Sequence, residues 1–395
     1  MTSITYVGLD VHTTNYTAAC YRFETDNAFA VAELKPKAEE IVKYLARVKK
    51  NLGENCEFLC GYEAGCLGYS LYHELTAKGI KCVIMTPSTI ESAPANKIKT
   101  DKRDAMKLAK CLGKGAYKAV YVPTDEDNAV KEYIRMRDDV NNSLKRVKQQ
   151  ITAFCIRNGK TYKGVVGKSY WTKKHLNWLE KLEFNQPVLR EALEEYIAVF
   201  YVLCEKIETF DAKIEALSQT ERFREPVKKV SCLSGIATHT AMATISEISD
   251  FTRFPSANSF AAYLGLVPGE YSSSNNRHQL GITKQGNNHV RRLLTEAAQS
   301  YSKGPIGKKS AALKKRQTGM DPKIIAYCDK CAERLKRKYI RISLHSKSNI
   351  AKTAIARELA CFIWGLMTDN YDESRGNVVT GASSILSRLV LYLPR

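Results

Sequence analysis

Two aspartates one helical turn apart are the first residues whose types and spacing suggest chemistry. Asp101 and Asp104 stand at i and i+3, ahead of a run with apolar residues at helical spacing. On a helix both carboxylates project from one face, and like charges this close repel each other unless a cation lies between them. A divalent metal site is one interpretation of the pair. The other is an acidic first turn, which the helix dipole favours.

Two further acids follow short apolar segments that we expect to be strands. Asp10 ends the segment Val7-Gly8-Leu9, and Glu63 comes directly after the segment 58–62. A carboxylate at the end of an apolar strand must be solvated, paired or bound to a metal. Four carboxylates brought together suit two Mg²⁺ ions with oxygen ligands, and Mn²⁺ is a substitute for the same ligands. The sequence therefore predicts a metal site made of Asp10, Glu63, Asp101 and Asp104.

The elements that must position these acids form an α/β region over residues 1–125. Three predicted strands, at 4–11, 17–23 and 29–34, come before alternating helices and strands that run to Met85. This order predicts a mixed sheet covered by helices, as in a ribonuclease H-like nuclease domain.

Residues 126–225 are predicted to be a helical connector. Apolar residues at helical spacing run from Val130 to Phe154, and a cleaner heptad follows after Pro187. The second helix can pair with the first as an antiparallel hairpin within one chain, or it can join two chains, and the pattern leaves both open. The positions of the predicted coiled-coil seam are Leu189, Leu193, Tyr196, Phe200, Leu203, Ile207, Phe210, Ile214 and Leu217.

The last domain, 226–395, is predicted to be mostly helical and to bind a polyanion. The chain has a formal net charge of +20, and residues 271–360 hold 20 Lys or Arg against 5 Asp or Glu. Nucleic acid is the commonest partner of such a surface. The candidate nucleic-acid-binding residues are Arg277, Lys284, Arg291, Arg292, Lys308, Lys309, Lys314, Lys315, Arg316, Arg337 and Lys338.

No leader-like start and no apolar run of membrane-spanning length occurs in the sequence, so we expect a cytoplasmic protein without a membrane partner. The 12 cysteines stand singly, mostly in apolar contexts, which is typical of reduced, buried thiols. Cys328 and Cys331 form a single Cys-x-x-Cys motif, and the sequence has no second pair of ligands to complete a structural zinc site, so zinc is not the favoured interpretation.

Several of these motifs together resemble a known family. The opening Gly8-Leu9-Asp10, the segment 62–64, Thr86-Pro87-Ser88 and the segment 99–105 resemble the DEDD transposases of bacterial insertion sequences of the insertion-sequence 110 type, relatives of the pilin-gene invertase. The resemblance implies a nuclease-like domain similar to that of RuvC, the Holliday-junction resolvase. It also implies that Asp10, Glu63, Asp101 and Asp104 are the metal ligands.

The same resemblance changes the interpretation of a Ser/Asn-rich stretch that by itself predicts only a flexible turn. In these transposases a loop between a Leu-x-Pro and an Ile-Thr-Lys-x-Gly element supplies a serine nucleophile. Here that serine falls on Ser273, although glycine usually follows it and Ser274 follows here. Ser272 and Ser274 therefore remain alternatives.

The resulting hypothesis is an RNA-guided recombinase of the bacterial nucleoid that forms a phosphoserine link to DNA. The resemblance implies donor and target DNA, a guide RNA encoded beside the gene, and a homodimer or tetramer joined through the coiled coil. Because the acids and the serine lie far apart in sequence, we expect the site to be assembled from two domains. One alternative is a resolvase-like nuclease, which needs no serine, and another is a non-catalytic nucleic-acid-binding scaffold.

Overall fold

The computed structural model describes residues 3–53, 56–65, 67–87, 100–162, 169–273 and 276–371, with only the backbone for those of residues 272–279 that it describes. Ser88, Lys99 and Ser274, which the sequence analysis singled out, lie outside the described residues. The chain divides into two compact units, Met1–Val122 and Pro123–Arg395. The expected mixed α/β start and mostly helical remainder are confirmed.

A five-stranded sheet forms the centre of the first unit, with the strand order β3-β2-β1-β4-β5. The strand β2 is antiparallel to β1 and β3, whereas β4 is parallel to β1 and β5 is parallel to β4. The strands are β1 (Ser3–Val11), β2 (Tyr16–Arg22), β3 (Asn27–Leu34), β4 (Cys56–Glu63) and β5 (Lys81–Met85).

Helices cover both faces of this sheet. On one face, Val7 and Leu9 of β1 are buried in a core with α1 (Ala38–Leu52) and α2 (Ser70–Ala77). On the other face, a smaller core joins the sheet to α3 (Asp101–Gly113). Since side chains alternate along a strand, Tyr6, Gly8 and Asp10 belong to the face that α3 covers.

Ten helices and a hairpin make up the described part of the second unit. The hairpin consists of β6 (Pro268–Ser273) and β7 (Asn276–Ile282), and a short 3-10 helix spans Ala298–Ser302. The helices are α4 (Asp125–Arg157), α5 (Lys173–Glu180), α6 (Pro187–Leu217), α7 (Glu221–Ser231), α8 (Thr238–Ile248), α9 (Ala257–Tyr263), α10 (Asn288–Ala297), α11 (Ala311–Gln317), α12 (Pro322–Ser343) and α13 (Ser348–Met367).

The helices α4 and α6 pack against each other in antiparallel orientation. Phe154 near the end of α4 contacts Tyr196 near the start of α6, with ring centroids 5.9 Å apart. At the opposite end, Tyr133 and Phe210 have ring centroids 5.1 Å apart. The predicted heptad seam therefore faces a helix of its own chain, which is the first of the two arrangements that the pattern left open.

The largest core belongs to the helices of the C-terminal part. It joins α7, α8, α10, α12 and α13, and it includes Cys328 and Cys331, which are both buried. The eleven cysteines in the described part of the chain are all free thiols. Among the described residues, none of the helices combines the length and the apolar composition of a membrane span.

Candidate active site

Two neighbouring parallel strands place Asp10 and Glu63 at the same edge of the sheet. The last paired residues of β1 and β4 are Leu9 and Tyr62, and the two acids come directly after them. Gly61 faces Leu112 of α3, so Glu63, two residues later, belongs to the same face. Asp10 is partly buried and Glu63 is exposed. The register of β1 and β4 therefore brings these two acids to the same end of the sheet face that α3 covers.

The helix α3 lies unusually close to β1 because Gly8 has no side chain. A Cβ atom at Gly8 would lie 2.2 Å from both the carbonyl oxygen of Ala105 and the amide nitrogen of Ala109. Such a distance is impossible, so only glycine permits this crossing. Gly8 lies two residues before Asp10, and Ala105 comes directly after Asp104. The crossing therefore sets how near the helical acids come to β1.

The first turn of α3 carries the other two acids. The Thr100 hydroxyl caps the helix by accepting a hydrogen bond from the Arg103 amide, so the helix begins at Asp101. The apolar stripe behind the acids packs against the sheet and consists of Ala105, Leu108, Ala109 and Leu112, all buried. Burial of this stripe fixes the rotation of α3, so that the acid-bearing turn lies at the edge where β1 ends.

Asp10, His12 and Asp101 form a group with potential ligand atoms within 4.8 Å of one another. His12 Nε2 lies 3.5 Å from Asp10 Oδ2. The Asn15 side-chain amide donates a 3.4 Å hydrogen bond to Asp101 Oδ2. Neither His12 nor Asn15 was predicted from the sequence. The Asp-x-His spacing at a strand end was the available signal for His12, whereas the contact of Asn15 depends on a residue 86 positions away.

The electrostatics of Asp10 reflect this crowding. Burial raises the pKa of its carboxyl above the usual value, the neighbouring Asp101 and Asp104 raise it further, and His12 opposes them. Asp104 is thus near enough to act on Asp10, although it is not a member of the 4.8 Å group. The structure brings three of the four predicted acids into one electrostatic site, and it places Glu63 at the end of the adjacent strand.

The predicted serine lies at the end of a hairpin strand, in a segment that the sequence analysis treated as a loop. Ser273 is the last residue of β6 and pairs with Asn276, the first residue of β7. The prediction of a plain loop is wrong for the described part, because residues 268–273 and 276–282 pair as antiparallel strands.

The root of this hairpin is fixed to the end of α9. The amide of Thr283 donates to the Val267 carbonyl at 2.9 Å, and the amide of Lys284 donates to the Gly265 carbonyl at 3.1 Å. A Cβ atom at Gly286 would lie 1.9 Å from the Tyr263 carbonyl oxygen, so the returning chain touches α9 directly. The Ile-Thr-Lys-x-Gly element thus has a structural role in addition to its place in the predicted motif.

Several of the predicted nucleic-acid-binding residues have partners within the protein. Arg291 donates to the carbonyls of Leu264 and Gln285, Arg292 pairs with Asp138 and Glu296, and Arg316 donates to the Ser231 carbonyl. Lys309 pairs with Asp329, and Lys338 pairs with Glu358. Lys284, Lys308, Lys314, Lys315 and Arg337 are exposed, although Arg337 pairs with Glu333 on its own helix, and the side chain of Arg277 lies outside the described part.

Comparison with known proteins assigns the family. A model of the DEDD transposases of IS110 elements matches residues 7–155, which include Asp10, Glu63, Asp101 and Asp104. A second model, described as "Transposase IS116/IS110/IS902 family", matches residues 227–311, which include the β6–β7 hairpin. The two matches fall on the two regions that carry the predicted acids and serine.

Whole-chain relatives agree with these matches. The protein named "Putative transposase y4qE" of Sinorhizobium fredii is 33% identical over 353 residues, which cover 86% of this chain and 85% of the relative. The transposase for insertion sequence element IS1533 of Leptospira borgpetersenii is 31% identical over 85% of this chain and 95% of its own length. The chain therefore belongs to the IS110 family of transposases. It is a transposase, an enzyme of DNA recombination, and the family resemblance drawn from its motifs is confirmed.

Proposed function

We propose that this transposase is an RNA-guided DNA recombinase that cuts and rejoins strands through a covalent link between DNA and Ser273. A metal site formed by Asp10, Glu63, Asp101 and Asp104 would serve the same reaction. The observation that carries the proposal is the grouping of acids from β1 and α3 in a chain of this family.

The topology of the first unit supports a ribonuclease H-like nuclease domain. Three antiparallel strands come first in sequence, and two parallel strands extend the sheet beside β1. The acids come from the first strand, the fourth strand and a later helix on one face. We propose that this mixed sheet is the RuvC-like domain that the family resemblance implies.

The residues present fit a divalent cation. Oxygen atoms of Asp10 and Asp101 lie in one group, and burial together with the two neighbouring aspartates raises the pKa of Asp10, so a cation would favour its charged form. Carboxylate oxygens are the ligands that Mg²⁺ prefers, and Mn²⁺ also accepts the nitrogen of a residue such as His12. A bound ion would supply charge stabilisation at the scissile phosphate. Asn15 holds Asp101 in place for that role.

The proposed covalent step follows ordinary phosphoryl transfer. The Ser273 hydroxyl oxygen attacks the phosphorus of a DNA phosphodiester while its proton passes to a base. The bond between phosphorus and the leaving deoxyribose oxygen breaks, and that oxygen takes up a proton. A hydroxyl from another strand then displaces the serine oxygen and restores a phosphodiester. The link conserves the ester bond, so rejoining needs no external energy source, whereas hydrolysis by water would lose it.

Exposed cations of the second unit support nucleic-acid binding. Lys308, Lys314 and Lys315 are exposed around α11. A groove between α12 and α13 is lined by Arg334, Arg337, Lys338 and Arg341, together with Glu358, which pairs with Arg334 and Lys338 and offsets part of this charge. Such contacts bind phosphates without selecting sequence. We propose that a guide RNA supplies that selection by base pairing, as the family resemblance implies.

The outer face of α6 supports self-association. Its inner face packs on α4, yet Val188, Val199 and Val202 are 70%, 46% and 52% exposed. These side chains are available to a second chain. We propose a dimer or tetramer joined through this helix.

The test is a search for a covalent protein–DNA adduct. The protein is incubated with Mg²⁺, RNA from its native flanks and labelled DNA carrying the element junction, then denatured and separated by gel. We expect an adduct that disappears in Ser273→Ala and in Asp10→Asn but persists in Glu24→Gln, an exposed acid of the same unit as Asp10.

Three outcomes would redirect the proposal. Loss of the adduct in Ser272→Ala or Ser274→Ala, but not in Ser273→Ala, would move the nucleophile by one residue. Cleavage without an adduct would leave a resolvase-like nuclease. DNA binding without cleavage or adduct would leave a scaffold.

A further inference from the structure

A partly exposed histidine lies between two carboxylates at the start of α10. His289 Nε2 is 2.7 Å from Asp138 Oδ2 of α4, and His289 Nδ1 is 3.1 Å from Glu247 Oε1 of α8. The side chains of His289, Asp138 and Glu247 are only 13%, 8% and 3% exposed. One ring therefore connects three helices of the second unit.

With Asp138 and Glu247 ionised, these two contacts are both hydrogen bonds only if both ring nitrogens carry protons. A carboxylate only accepts hydrogen bonds, and a neutral imidazole donates from only one nitrogen. A neutral ring would turn a lone pair toward one of the two carboxylates. The contacts therefore favour an imidazolium, even though His289 lies in the first turn of α10, where the helix dipole disfavours a cation.

The charges around His289 support the protonated form. Burial disfavours it, but the hydrogen bonds to Asp138 and Glu247 raise the pKa of His289 to about 8. Burial likewise opposes ionisation of Glu247, yet His289 and Arg135 lower the pKa of Glu247 to about 2. Among the described residues, the other charged or titratable groups around this cluster include His239, Arg292, Arg137 and Lys131. Glu296 pairs with Arg292, and Asp211 pairs with Arg137.

The same cluster holds the root of the β6–β7 hairpin. Asn287 caps α10 by accepting a hydrogen bond from the Val290 amide at 3.0 Å, and its side-chain amide donates to Glu247 Oε2 at 2.8 Å. The amide of Asn287 also donates to the Tyr263 carbonyl at the end of α9. Glu247 therefore binds both His289 and the residue at which the chain returns from the hairpin.

We propose that His289 is a positioning residue whose protonated ring ties α10 to α4 and α8 and thereby fixes the hairpin that carries Ser273. Loss of its proton turns one carboxylate contact from attractive to repulsive and loosens the hairpin root. The proposal rests on the proposed function only for its catalytic consequence. The clamp itself can be observed without any DNA.

The first experiment follows the clamp in the full-length protein alone. Nitrogen chemical shifts of ¹⁵N-labelled histidines, with His289 assigned by its loss in His289→Gln, report the ring's protonation from pH 6 to 9. In parallel, hydrogen-exchange protection of residues 264–271 and 280–287 is measured, corrected for the intrinsic effect of pH. We expect an imidazolium at pH 7 and a protection that falls together with its deprotonation.

Variants separate charge from packing. His289→Gln should lose protection at every pH, whereas His289→Arg, which stays charged and can reach both carboxylates, should keep it at pH 9. His345→Gln alters an exposed histidine between α12 and α13 and should behave as wild type. The proposal is overturned if His289 is neutral at pH 7, or if hydrogen-exchange protection does not change as His289 loses its proton. The wild-type titration decides even where His289→Arg fails to fold.

The catalytic consequence is read from the adduct assay. At pH 9, one unit above the pKa, about a tenth of His289 remains protonated, so adduct formation should fall by up to about tenfold relative to pH 7. In His289→Arg, adduct formation should depend less on pH between 7 and 9. If wild type forms no adduct at any pH, the proposed function fails, while the exchange and NMR results still decide on the clamp.

Discussion

Gly8 of β1 and Ala105 of α3 are in direct backbone contact, since a Cβ atom at Gly8 would lie 2.2 Å from the Ala105 carbonyl oxygen. This contact joins the two elements that carry Asp10, Asp101 and Asp104. The spacing of the acids thus depends on a residue that has no side chain of its own.

Substitution of Gly8 by alanine should therefore displace α3 and separate the acids. Overpacking of this kind costs about 1–3 kcal/mol of unfolding free energy, and adduct formation should fall with it. Chemical denaturation and the adduct assay measure the two effects. Gly281→Ala is the control for stability, because a Cβ atom at Gly281 meets nothing within 4 Å. Equal stability of wild type and Gly8→Ala would contradict the close crossing.

Neutralising Asp10 should stabilise the metal-free protein while abolishing activity. Its raised pKa means that folding disfavours the ionised carboxylate, so Asp10→Asn should gain about 0.5 kcal/mol near pH 7, the scale of a like-charge pair. Thermal unfolding without divalent ions measures this gain. A loss of stability would show that Asp10 has compensating partners beyond those described.

Addition of Mg²⁺ or Mn²⁺ should stabilise wild type by mass action. An ion at 100 times its Kd raises the unfolding free energy by about 2.7 kcal/mol. Asp10→Asn and Asp101→Asn should reduce the resulting shift in Tm, whereas Glu24→Gln should preserve it. A shift that is identical in all four proteins would place the ion elsewhere.

The stability of the second unit should depend on pH through His289. Its pKa is about 8 in the folded protein against 6.5 as the ordinary value, so its contribution is complete below pH 6.5 and is lost as pH rises through 8. The difference corresponds to about 2 kcal/mol. Urea unfolding of wild type at pH 6.5, 7.5 and 8.5 should show this decline, and His289→Gln should lack it. If the unfolding free energies of the two proteins change with pH in the same way, His289 is not the source of the pH dependence.

The two faces of α6 should respond differently to substitution. Phe200 is 5% exposed and stacks on Trp171 with centroids 5.3 Å apart, so Phe200→Ala should cost about 3–5 kcal/mol. Val202 is 52% exposed, so Val202→Glu should change stability by less than about 0.5 kcal/mol. Sedimentation should nevertheless show weaker self-association for Val202→Glu. Unchanged association would move the oligomer interface away from this face.

Exposed lysines around α11 should contribute to nucleic-acid affinity through counterion release. Replacing Lys314 or Lys315 by alanine should lower the slope of log K against log salt by about 1 for each lost phosphate contact. Filter binding at several salt concentrations measures the slope. Lys50→Ala, an exposed residue of α1, makes the same charge change and should leave the slope unaltered.

The sequence determined the local elements because their signals are local. Alternating apolar residues located β1, β2 and β3, and the motif residues around Asp10 and Asp101 identified the family. The catalytic roles of the acids and of Ser273 stay predictions. The excess of Lys and Arg indicated a polyanionic partner, but it did not reveal that Arg291, Arg292 and Arg316 bind groups of the protein itself.

Tertiary structure alone decided the contacts between distant residues. The heptad on α6 fits a partner from the same chain or another chain equally well, and only packing places α4 against it. His289 lies 151 positions from Asp138 and 42 from Glu247. No local sequence pattern could therefore predict that both carboxylates contact its ring. Likewise, Gly8 looks like any strand glycine until α3 crosses it. The physical reason is that charge compensation and close packing depend on distance in space, which a linear pattern does not contain.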